Sequence, residues 1–417
     1  MTIMACLLRR HLKARVIAMI GALGLAGSAG AADWPQFLGP DTNNVSLEQN
    51  LNKSWSNHPP RILWTVNLTD DGYAAPSIAG GKLFMVDHAG SNDIVRALDV
   101  GDGHELWRYQ YPDAVAVHQG FTASTPLVEG NKVYTFSRRG KVHCLDAESG
   151  DMLWSRDLAA EYQSKMPPWE FCMSPVVDGD KLIFCPNGDR CGLLFLDKTT
   201  GKTLKEAAPG FLASYATPII AMLNGVRQYV VFGVDRLAGF SADDGSELWQ
   251  VPWPTKFGGK KGPTPLLLGN TRIFVATTEG GDTGVVDLSS GVPVIQWKHQ
   301  KMQDHFPTPV FYHGRIYGSS EPKLLVCLDP ANGQLLWEKE TGKFTSVIAA
   351  DDTVIALSGP SGELIMLDAR VPEYCELGRF TPLGGQSWTA PVLSDGCLYV
   401  RNKGAIACVD LRAAGGK

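Results

Sequence analysis

Three stretches of this chain share one phrase: LDVGDGHELW (98–107), LDAESGDMLW (145–154) and LDPANGQLLW (328–337). Each has an aspartate, a glycine four residues later and a tryptophan eight residues later. The phrase, in clear or altered form, returns roughly every 45 residues. A period of this length indicates one supersecondary unit that repeats along the chain. Such a unit cannot bury its apolar face alone, so the copies must stack on one another.

A second shared part precedes the phrase. It consists of a small residue and a proline, a short apolar run, a glycine or Asp-Gly turn, and a second apolar run. Together with the Leu-Asp strand and the tryptophan strand, each copy predicts four antiparallel strands, which is a propeller blade. A set of sandwiches, the alternative all-β architecture, does not require so regular a repeat. The copies begin at Ala74, Ser124, Met173, Ala216, Pro263, Pro307, Thr345 and Thr389.

The two ends of the chain predict how the ring closes. The eighth copy supplies three strands, TAPVLSDG, CLYVRN and AIACVDL, and then stops without a tryptophan strand. An isolated tryptophan strand, RILWTVNL (61–68, with Trp64), lies before the first copy. Pairing this N-terminal strand with the last three would remove two exposed sheet edges. The predicted fold is therefore all-β: an eight-bladed β-propeller over residues 61–412.

The shared residues are predicted to be structural rather than catalytic. Aspartate accepts hydrogen bonds from amides two or three residues ahead, glycine supplies a positive φ, and tryptophan packs between blades while its N–H reaches a carbonyl. Three copies depart from the pattern, with Ser241, Lys205 and Pro372 in place of the aspartate, tryptophan and glycine, and we expect weaker packing or a distorted loop there. The assigned docking residues are Trp64, Asp99, Gly103, Trp107, Asp146, Gly150, Trp154, Asp329, Gly333 and Trp337.

The N-terminus predicts export. Basic residues between positions 9 and 15 precede an apolar run, and Ala29-Gly30-Ala31 resembles a signal-peptidase site. We therefore expect a signal peptide at 1–31, a lead segment at 32–60 and a tail at 413–417; an uncleaved anchor is the alternative. No stretch is long enough to span a membrane. The net charge of −5, without charged blocks, gives no sign of nucleic acid binding. We expect a periplasmic or envelope-associated monomer.

The repeat resembles that of the pyrroloquinoline-quinone (PQQ) family, whose eight-bladed propellers carry an Ala-x-Asp-x-x-x-Gly-x-x-x-Trp docking motif. One branch contains quinoprotein dehydrogenases, which place two adjacent cysteines over the quinone and use calcium ligands. The other contains cofactor-free propellers similar to BamB, the scaffold of outer-membrane barrel assembly. This chain has no Cys-Cys pair, which favours the second branch. Its lead, DWPQFLGPDTNNVS (33–46), resembles that of exported propellers called PQQ-binding-like, and it lacks a lipid-anchor cysteine, unlike BamB.

One mouth of the central channel is the candidate binding site. In this fold class the segments that enter the first strands lie at one mouth, and here they carry aromatic or basic residues. They could hold a ligand or an extended peptide, or they could plug the channel. The candidates are Tyr73, Phe121, Trp169, Tyr215, Lys260, His305, Phe344 and Trp388, accompanied by Phe171, Phe257, Lys261 and Phe306.

The remaining motifs give little chemistry. No metal-ligand spacing or nucleophile motif is present, so no metal site and no catalytic residue is assigned. Cys185 and Cys191 flank a short turn and could form a disulfide; Cys397 with Cys408 is a second candidate pair. Cys144, Cys327 and Cys408 share one position in three blades and are expected to be buried.

The sequence therefore predicts an exported, non-catalytic propeller that acts in the cell envelope as an interaction scaffold or ligand-binding module. Its partner would be an envelope protein or peptide, or a small polar ligand, and no cofactor is expected. Two alternatives remain open. One is a PQQ- and calcium-dependent oxidoreductase acting on alcohols or sugars, and the other is a carbohydrate-binding propeller.

Overall fold

The structure, a computed structural model, describes residues 33–114, 120–256, 259–278 and 280–413. Within these residues it contains 32 strands in eight four-stranded antiparallel sheets, with one short helix. This confirms the predicted eight-bladed propeller. The signal peptide expected at 1–31, most of the expected tail and Phe257 lie outside the described residues.

Blades 1 to 4 follow one another along the chain. Blade 1 contains β2 (Ser77–Ala79), β3 (Lys82–Ala89), β4 (Asn92–Asp99) and β5 (Glu105–Pro112). Blade 2 contains β6 (Leu127–Glu129), β7 (Lys132–Phe136), β8 (Lys141–Asp146) and β9 (Met152–Asp157), followed by α1 (Leu158–Tyr162). Blade 3 contains β10 (Val176–Asp178), β11 (Lys181–Phe184), β12 (Leu193–Asp197) and β13 (Thr203–Ala207). Blade 4 contains β14 (Ile219–Leu223), β15 (Val226–Phe232), β16 (Arg236–Ser241) and β17 (Glu247–Pro252).

Blades 5 to 8 complete the ring. Blade 5 contains β18 (Leu266–Leu268), β19 (Arg272–Val275), β20 (Thr283–Asp287) and β21 (Val294–His299). Blade 6 contains β22 (Val310–Tyr312), β23 (Arg315–Ser320), β24 (Leu324–Leu328) and β25 (Leu335–Glu340). Blade 7 contains β26 (Ser346–Ala350), β27 (Thr353–Leu357), β28 (Leu364–Asp368) and β29 (Glu376–Phe380). Blade 8 contains β30 (Val392–Ser394), β31 (Cys397–Arg401), β32 (Ala405–Asp410) and, from the N-terminal side, β1 (Arg61–Asn67).

Blade 8 closes the ring as predicted. Strand β1 pairs antiparallel with β32, with Trp64 opposite Cys408 and Asn67 opposite Ala405, and the sheet order is β1-β32-β31-β30. The two termini therefore share one sheet, and neither leaves a long unpaired edge inside the ring.

The outer strands share an irregularity. The outermost strand of each blade has a register shift just before the tryptophan position. In blade 1, for example, Leu98 is opposite Glu105 while Ala97 is opposite Trp107, so Leu106 has no partner residue on the neighbouring strand. Such a bulge twists a strand and protects a bare edge from pairing with another chain. The leucine at this position is also exposed in blades 2, 3, 4 and 6.

The turn from the shared aspartate to the shared glycine, which we call the docking turn, is capped by its first side chain. The Asp146 carboxylate, for example, accepts the amides of Glu148 and Ser149 at 2.8 and 3.0 Å. Ser241 accepts the equivalent two amides at 3.2 and 3.4 Å, so the serine copy retains the turn. Gly150 has a φ of 78° and packs against Trp107, where a Cβ would lie 2.6 Å from the ring. Only glycine satisfies both conditions.

One hydrogen bond, which we call the inter-blade latch, ties each docking turn to the element before it around the ring. The acceptor is always the carbonyl that follows the turn aspartate, or serine in blade 4. In four turns an indole N–H donates at 2.9–3.3 Å: Trp64 to Val100, Trp107 to Ala147, Trp154 to Lys198 and Trp297 to Pro330. In the other four the donors are Lys181 to Ala242, Asn224 to Leu288, Arg315 to Ala369 and the Asn52 amide to Leu411.

The distorted loop expected at Pro372 is present: the Asp368 amide donates to Cys375, seven residues ahead, whereas the Asp99 amide donates to His104, five residues ahead.

The weaker packing expected where the tryptophan is missing is not seen. The residue opposite the tryptophan is small in most blades, such as Cys144 opposite Trp154. In blade 3 the residue opposite Lys205 is Phe195. Its buried ring packs against Gly245 of the next docking turn, in the space that a tryptophan ring occupies in other blades. In blade 7 a glycine, Gly378, occupies the tryptophan position, and Trp55 of the lead segment fills that space with 2% exposure.

The lead segment enters the central channel. The backbone of Trp34 exchanges hydrogen bonds of 2.9 and 2.8 Å with Ile78 on the innermost strand of blade 1. Further along, Ala349 of blade 7 donates to Asn44 at 2.9 Å and accepts from Ser46 at 2.8 Å. The lead therefore crosses the channel from blade 1 to blade 7.

A belt of hydroxyl groups joins the inner strands. The residue before the proline accepts a hydrogen bond from the equivalent amide of the preceding blade: Thr125 to Ser174, Ser174 to Thr217, Thr217 to Thr264 and Thr264 to Thr308, at 3.0–3.2 Å. This belt explains the small polar residue before the proline in blades 3 to 6.

Replacing Thr217 by valine should lower the free energy of unfolding by about 1–3 kcal/mol, because the buried amide of Ser174 loses its acceptor. Urea denaturation measures the change. Thr125→Val is the matched control, since no described residue hydrogen-bonds the Thr125 hydroxyl. Equal losses in both variants would show that the belt contributes nothing.

Candidate functional site

Seven aromatic rings meet at one mouth of the channel. They come from the segments that lead into the innermost strands of blades 1, 3, 4, 6, 7 and 8, and we call them the mouth cluster: Tyr73, Trp169, Tyr215, His305, Phe306, Phe344 and Trp388. Each segment must turn from an outer strand back to the channel, so its last residues lie around the axis. The sequence prediction thus identified residues that are neighbours in space although they are far apart in the chain.

The rings form a continuous series of contacts. Tyr73 stacks on Trp388 with centroids 5.1 Å apart, and Trp388 stacks on Phe306 at 5.7 Å. Phe306 contacts Trp169 at 5.9 Å, and Trp169 stacks on Tyr215 at 5.1 Å. Contacts of this kind stabilise an aromatic cluster beyond the area that it buries.

Phe344, in the segment that leads into blade 7, completes the cluster and has a strained backbone. Phe344 lies edge-on to Trp388 at 4.9 Å and stacks with His305 at 5.8 Å. Its φ of 57° is unfavourable for a bulky side chain and is the kind of backbone strain that occurs at functional sites.

Hydrogen bonds fix the orientation of two rings. The Tyr215 hydroxyl accepts the Trp169 amide at 3.1 Å, and Gln386 donates to the Tyr73 hydroxyl at 2.6 Å. Burial raises the pKa of Tyr215 to about 12, so this hydroxyl remains neutral in the physiological range.

The cluster surrounds a cavity of about 130 Å³. Hydroxyl-bearing residues of the belt, including Thr125, Thr217 and Thr308, line it together with the rings. Phe37 and Leu38 of the lead segment also line the cavity, and Leu38 is only 3% exposed. The lead therefore narrows the channel beneath the mouth and leaves a shallow concavity.

The charges beside the cluster are mostly paired. Glu170 faces Arg138 at 3.2 Å and Arg139 at 2.9 Å. The Lys260 ammonium lies 4.7 Å from the centre of the Trp169 ring, a cation–π distance. Glu321 lies 3.5 Å from His305, and Lys260 has no carboxylate partner among the described residues.

Two buried titratable groups lie next to cluster residues. Burial lowers the pKa of Lys261 to about 7, and its ammonium donates to the carbonyls of Gly233 and Val234 at 2.9 and 2.7 Å. Burial raises the pKa of Asp304 to about 7, and its carboxylate accepts the His305 amide at 2.6 Å. Both groups hold backbone segments, and neither is a wall of the cavity.

Three of the predicted mouth residues lie elsewhere: the buried Lys261, whose ammonium donates to Gly233 and Val234, Phe121 and Phe171. Phe121 stacks on the buried His88 ring at 4.2 Å instead of joining the cluster, because backbone hydrogen bonds with Asp71 and Tyr73 hold its segment beside blade 1. Phe171 packs against Phe136 at 5.1 Å in the core of blades 2 and 3. Sequence analysis missed the Phe37 and Leu38 floor, since the lead segment carries no repeat that would place it in the channel.

The two candidate disulfides are not formed. All eight cysteines among the described residues are free thiols, so the predicted Cys185–Cys191 and Cys397–Cys408 disulfides are not present in this structure. Both members of the first pair are buried, which raises the pKa of Cys185 and of Cys191 above the ordinary thiol value. Cys144, Cys327 and Cys408 are fully buried opposite tryptophans.

Comparison with known proteins decides the family. A profile of the family described as outer membrane protein assembly factor BamB matches residues 53–120, 91–303 and 297–371, well over half of the chain. The chain belongs to the BamB family.

Individual relatives agree with this membership. BamB of Moranella endobia (strain PCIT) is 23% identical over 325 residues, which are 72% of this chain and 78% of that protein. The solved BamB of Moraxella catarrhalis has a TM-score of 0.64 at 16% identity, with 86% of this chain and 99% of that chain covered. A quinohemoprotein alcohol dehydrogenase from Comamonas testosteroni has a TM-score of 0.67 at 12% identity, with 92% and 81% covered. Both structural similarities show the fold alone.

The mouth of this BamB-family propeller does not fit PQQ with calcium. The cavity is smaller than the 300–1,000 Å³ typical of pockets for ligands of that size. The Glu170 carboxylate, which could serve as a calcium ligand, already faces two arginines.

Among the described residues no helix is long and apolar enough to cross a membrane.

The raised pKa of Asp304 predicts a pH dependence. A carboxyl group that binds its proton more tightly when folded stabilises the fold below pH 4 and loses that contribution as pH rises through about 7. Relative to Asp304→Asn, the wild type should lose on the order of 2–4 kcal/mol of unfolding free energy between pH 4 and pH 7.5. Urea denaturation at both pH values measures this, with exposed Glu373→Gln as the control. Parallel pH profiles for the wild type and Asp304→Asn would contradict the assignment.

Proposed function

We propose that this chain is an exported, non-catalytic interaction propeller of the cell envelope, and that it contacts its partner through the mouth cluster. The observation that supports this most strongly is the partly exposed aromatic concavity. Concave surfaces lined by aromatic side chains with a few polar groups are the usual form of a binding site. The rigid ring of blades holds the mouth segments in place, so the surface is formed before the partner arrives.

The pairing of the mouth carboxylates favours binding over catalysis. Glu170 is neutralised by two arginines, and Asp71 is paired with Lys403 at 2.7 Å. Glu321 lies 3.5 Å from His305, and the Asp304 carboxylate accepts the His305 amide. A glycoside-cleaving site would need two carboxyl groups that face a substrate across a gap of about 5–10 Å. These four carboxylates instead contact neighbouring charged or backbone groups of the mouth segments.

Relatives suggest the kind of partner. Their names describe outer membrane protein assembly factors, so we infer that an envelope protein involved in that process binds this chain too. The predicted signal peptide at 1–31 supports an exported, periplasmic location. Aromatic and cationic side chains are also the types enriched in protein interfaces.

Site-specific photocrosslinking in the native cell envelope tests the proposal. A benzophenone amino acid at position 260, on the mouth rim, should crosslink one defined envelope protein. The same group at position 202, in the exposed docking turn of blade 3, should not. Trp388→Ser, which removes a central ring, should reduce the crosslink from position 260 by about tenfold.

Two results would contradict the proposal. One is equal crosslinking from positions 260 and 202, and the other is a crosslink that persists in the Trp388→Ser background. Circular dichroism and urea denaturation of this variant establish that the propeller remains folded.

A further inference from the structure

We infer that the mouth cavity receives one aromatic side chain of an extended peptide segment, with an acidic residue next to it. This inference rests on the proposed function and specifies its ligand. It concerns the cavity between the rings of the mouth cluster and the cation at its rim.

The size of the cavity selects one ring. A cavity of about 130 Å³ is close to the 150 Å³ that is sufficient for benzene in an engineered protein core. A disaccharide or a tricyclic cofactor needs several times that space. A single phenyl or phenol group from a larger molecule therefore fits best.

The walls match the faces and edges of such a ring. Trp388 and Phe306 are stacked with an interplanar angle of 25°, while His305 stands at 63° to Trp169, and all four line the cavity. The cavity thus offers both stacked and edge-on neighbours, which are the two arrangements that aromatic rings prefer. An aliphatic side chain would fill the volume without these contacts.

The polar groups specify what accompanies the ring. Lys260 lies over Trp169 at 4.7 Å and has no carboxylate partner among the described residues, whereas Arg138 and Arg139 are paired with Glu170. The Lys260 ammonium is therefore complementary to an acidic neighbour.

The surroundings of the cavity favour a peptide over a free small molecule. Tyr73, Phe306 and Trp388 remain partly exposed although they are cavity walls. A single small ring inside the cavity would leave their outer surfaces in water. A segment that continues on both sides of the inserted ring would cover them.

Isothermal titration calorimetry with purified mature protein tests the inference. The probes are the capped peptides acetyl-Gly-Asp-Phe-Gly-amide, its Asp→Asn form and its Phe→Leu form, together with N-acetyl-phenylalaninate as the small-molecule arm. We expect the Asp-Phe peptide to bind most tightly, the Leu form about tenfold more weakly and the Asn form about threefold more weakly.

Variants assign the two contacts. Lys260→Gln should remove the preference for Asp over Asn while retaining the preference for Phe over Leu. Trp388→Leu should weaken the Asp-Phe peptide about tenfold. Lys202→Gln, at an exposed lysine in the docking turn of blade 3, is the matched control and should bind like the wild type.

Three outcomes would overturn the inference: no binding of the Asp-Phe peptide, equal binding of the Phe and Leu forms, or binding of N-acetyl-phenylalaninate as tight as that of the peptide. These outcomes are distinct from failure of the proposed function. If a partner crosslinks at position 260 while the peptides do not bind, the scaffold role stands and this ligand assignment fails.

Discussion

The architecture depends on one hydrogen bond repeated around the ring. At every docking turn, the carbonyl after the first capping residue receives a donor from the element before it. A propeller has no continuous core that would hold its blades in angular register, so contacts between neighbours must do this. Burial of the apolar blade faces supplies most of the stabilisation, but burial alone is not directional. The latch fixes how far one blade rotates against the next, and thereby fixes the positions of the mouth segments.

The latch is retained although its donor changes. Indole N–H groups, a lysine ammonium, an asparagine amide, an arginine guanidinium and a backbone amide of the lead segment all donate to the equivalent carbonyl. The space of the tryptophan ring is also filled where the tryptophan is missing. Phe195 fills it in blade 3 and Trp55 fills it in blade 7. The chain therefore conserves the volume and the hydrogen bond at each interface, while the residue that provides them varies.

The repeat was sufficient to predict the fold, the number of blades and the closure by Trp64, because each of these follows from spacing along the chain. It also predicted most of the mouth cluster, since the residues before each inner strand must lie around the axis. Three features could not be predicted. The lead segment has no repeat, so its passage through the channel to Phe37 and Leu38 depends on contacts far apart in sequence. The pairing of Trp55 with Gly378 is non-local for the same reason. The position of Phe121 depends on a buried histidine that only the folded blade brings near it.

Urea denaturation of three single variants tests the central claim about the latch most directly. Trp107→Phe, Lys181→Met and Arg315→Met each remove the donor while retaining much of the apolar volume. The account predicts a loss of unfolding free energy of about 1–3 kcal/mol in each, because each leaves the latch carbonyl without its donor. Arg315→Met should lose the most, since Arg315 also donates to the Val371 carbonyl at 3.0 Å. Lys202→Met, on the exposed surface, should be nearly neutral. A loss in Trp107→Phe alone, with the lysine and arginine variants as stable as the wild type, would show that tryptophan packing rather than the shared hydrogen bond holds the blades together.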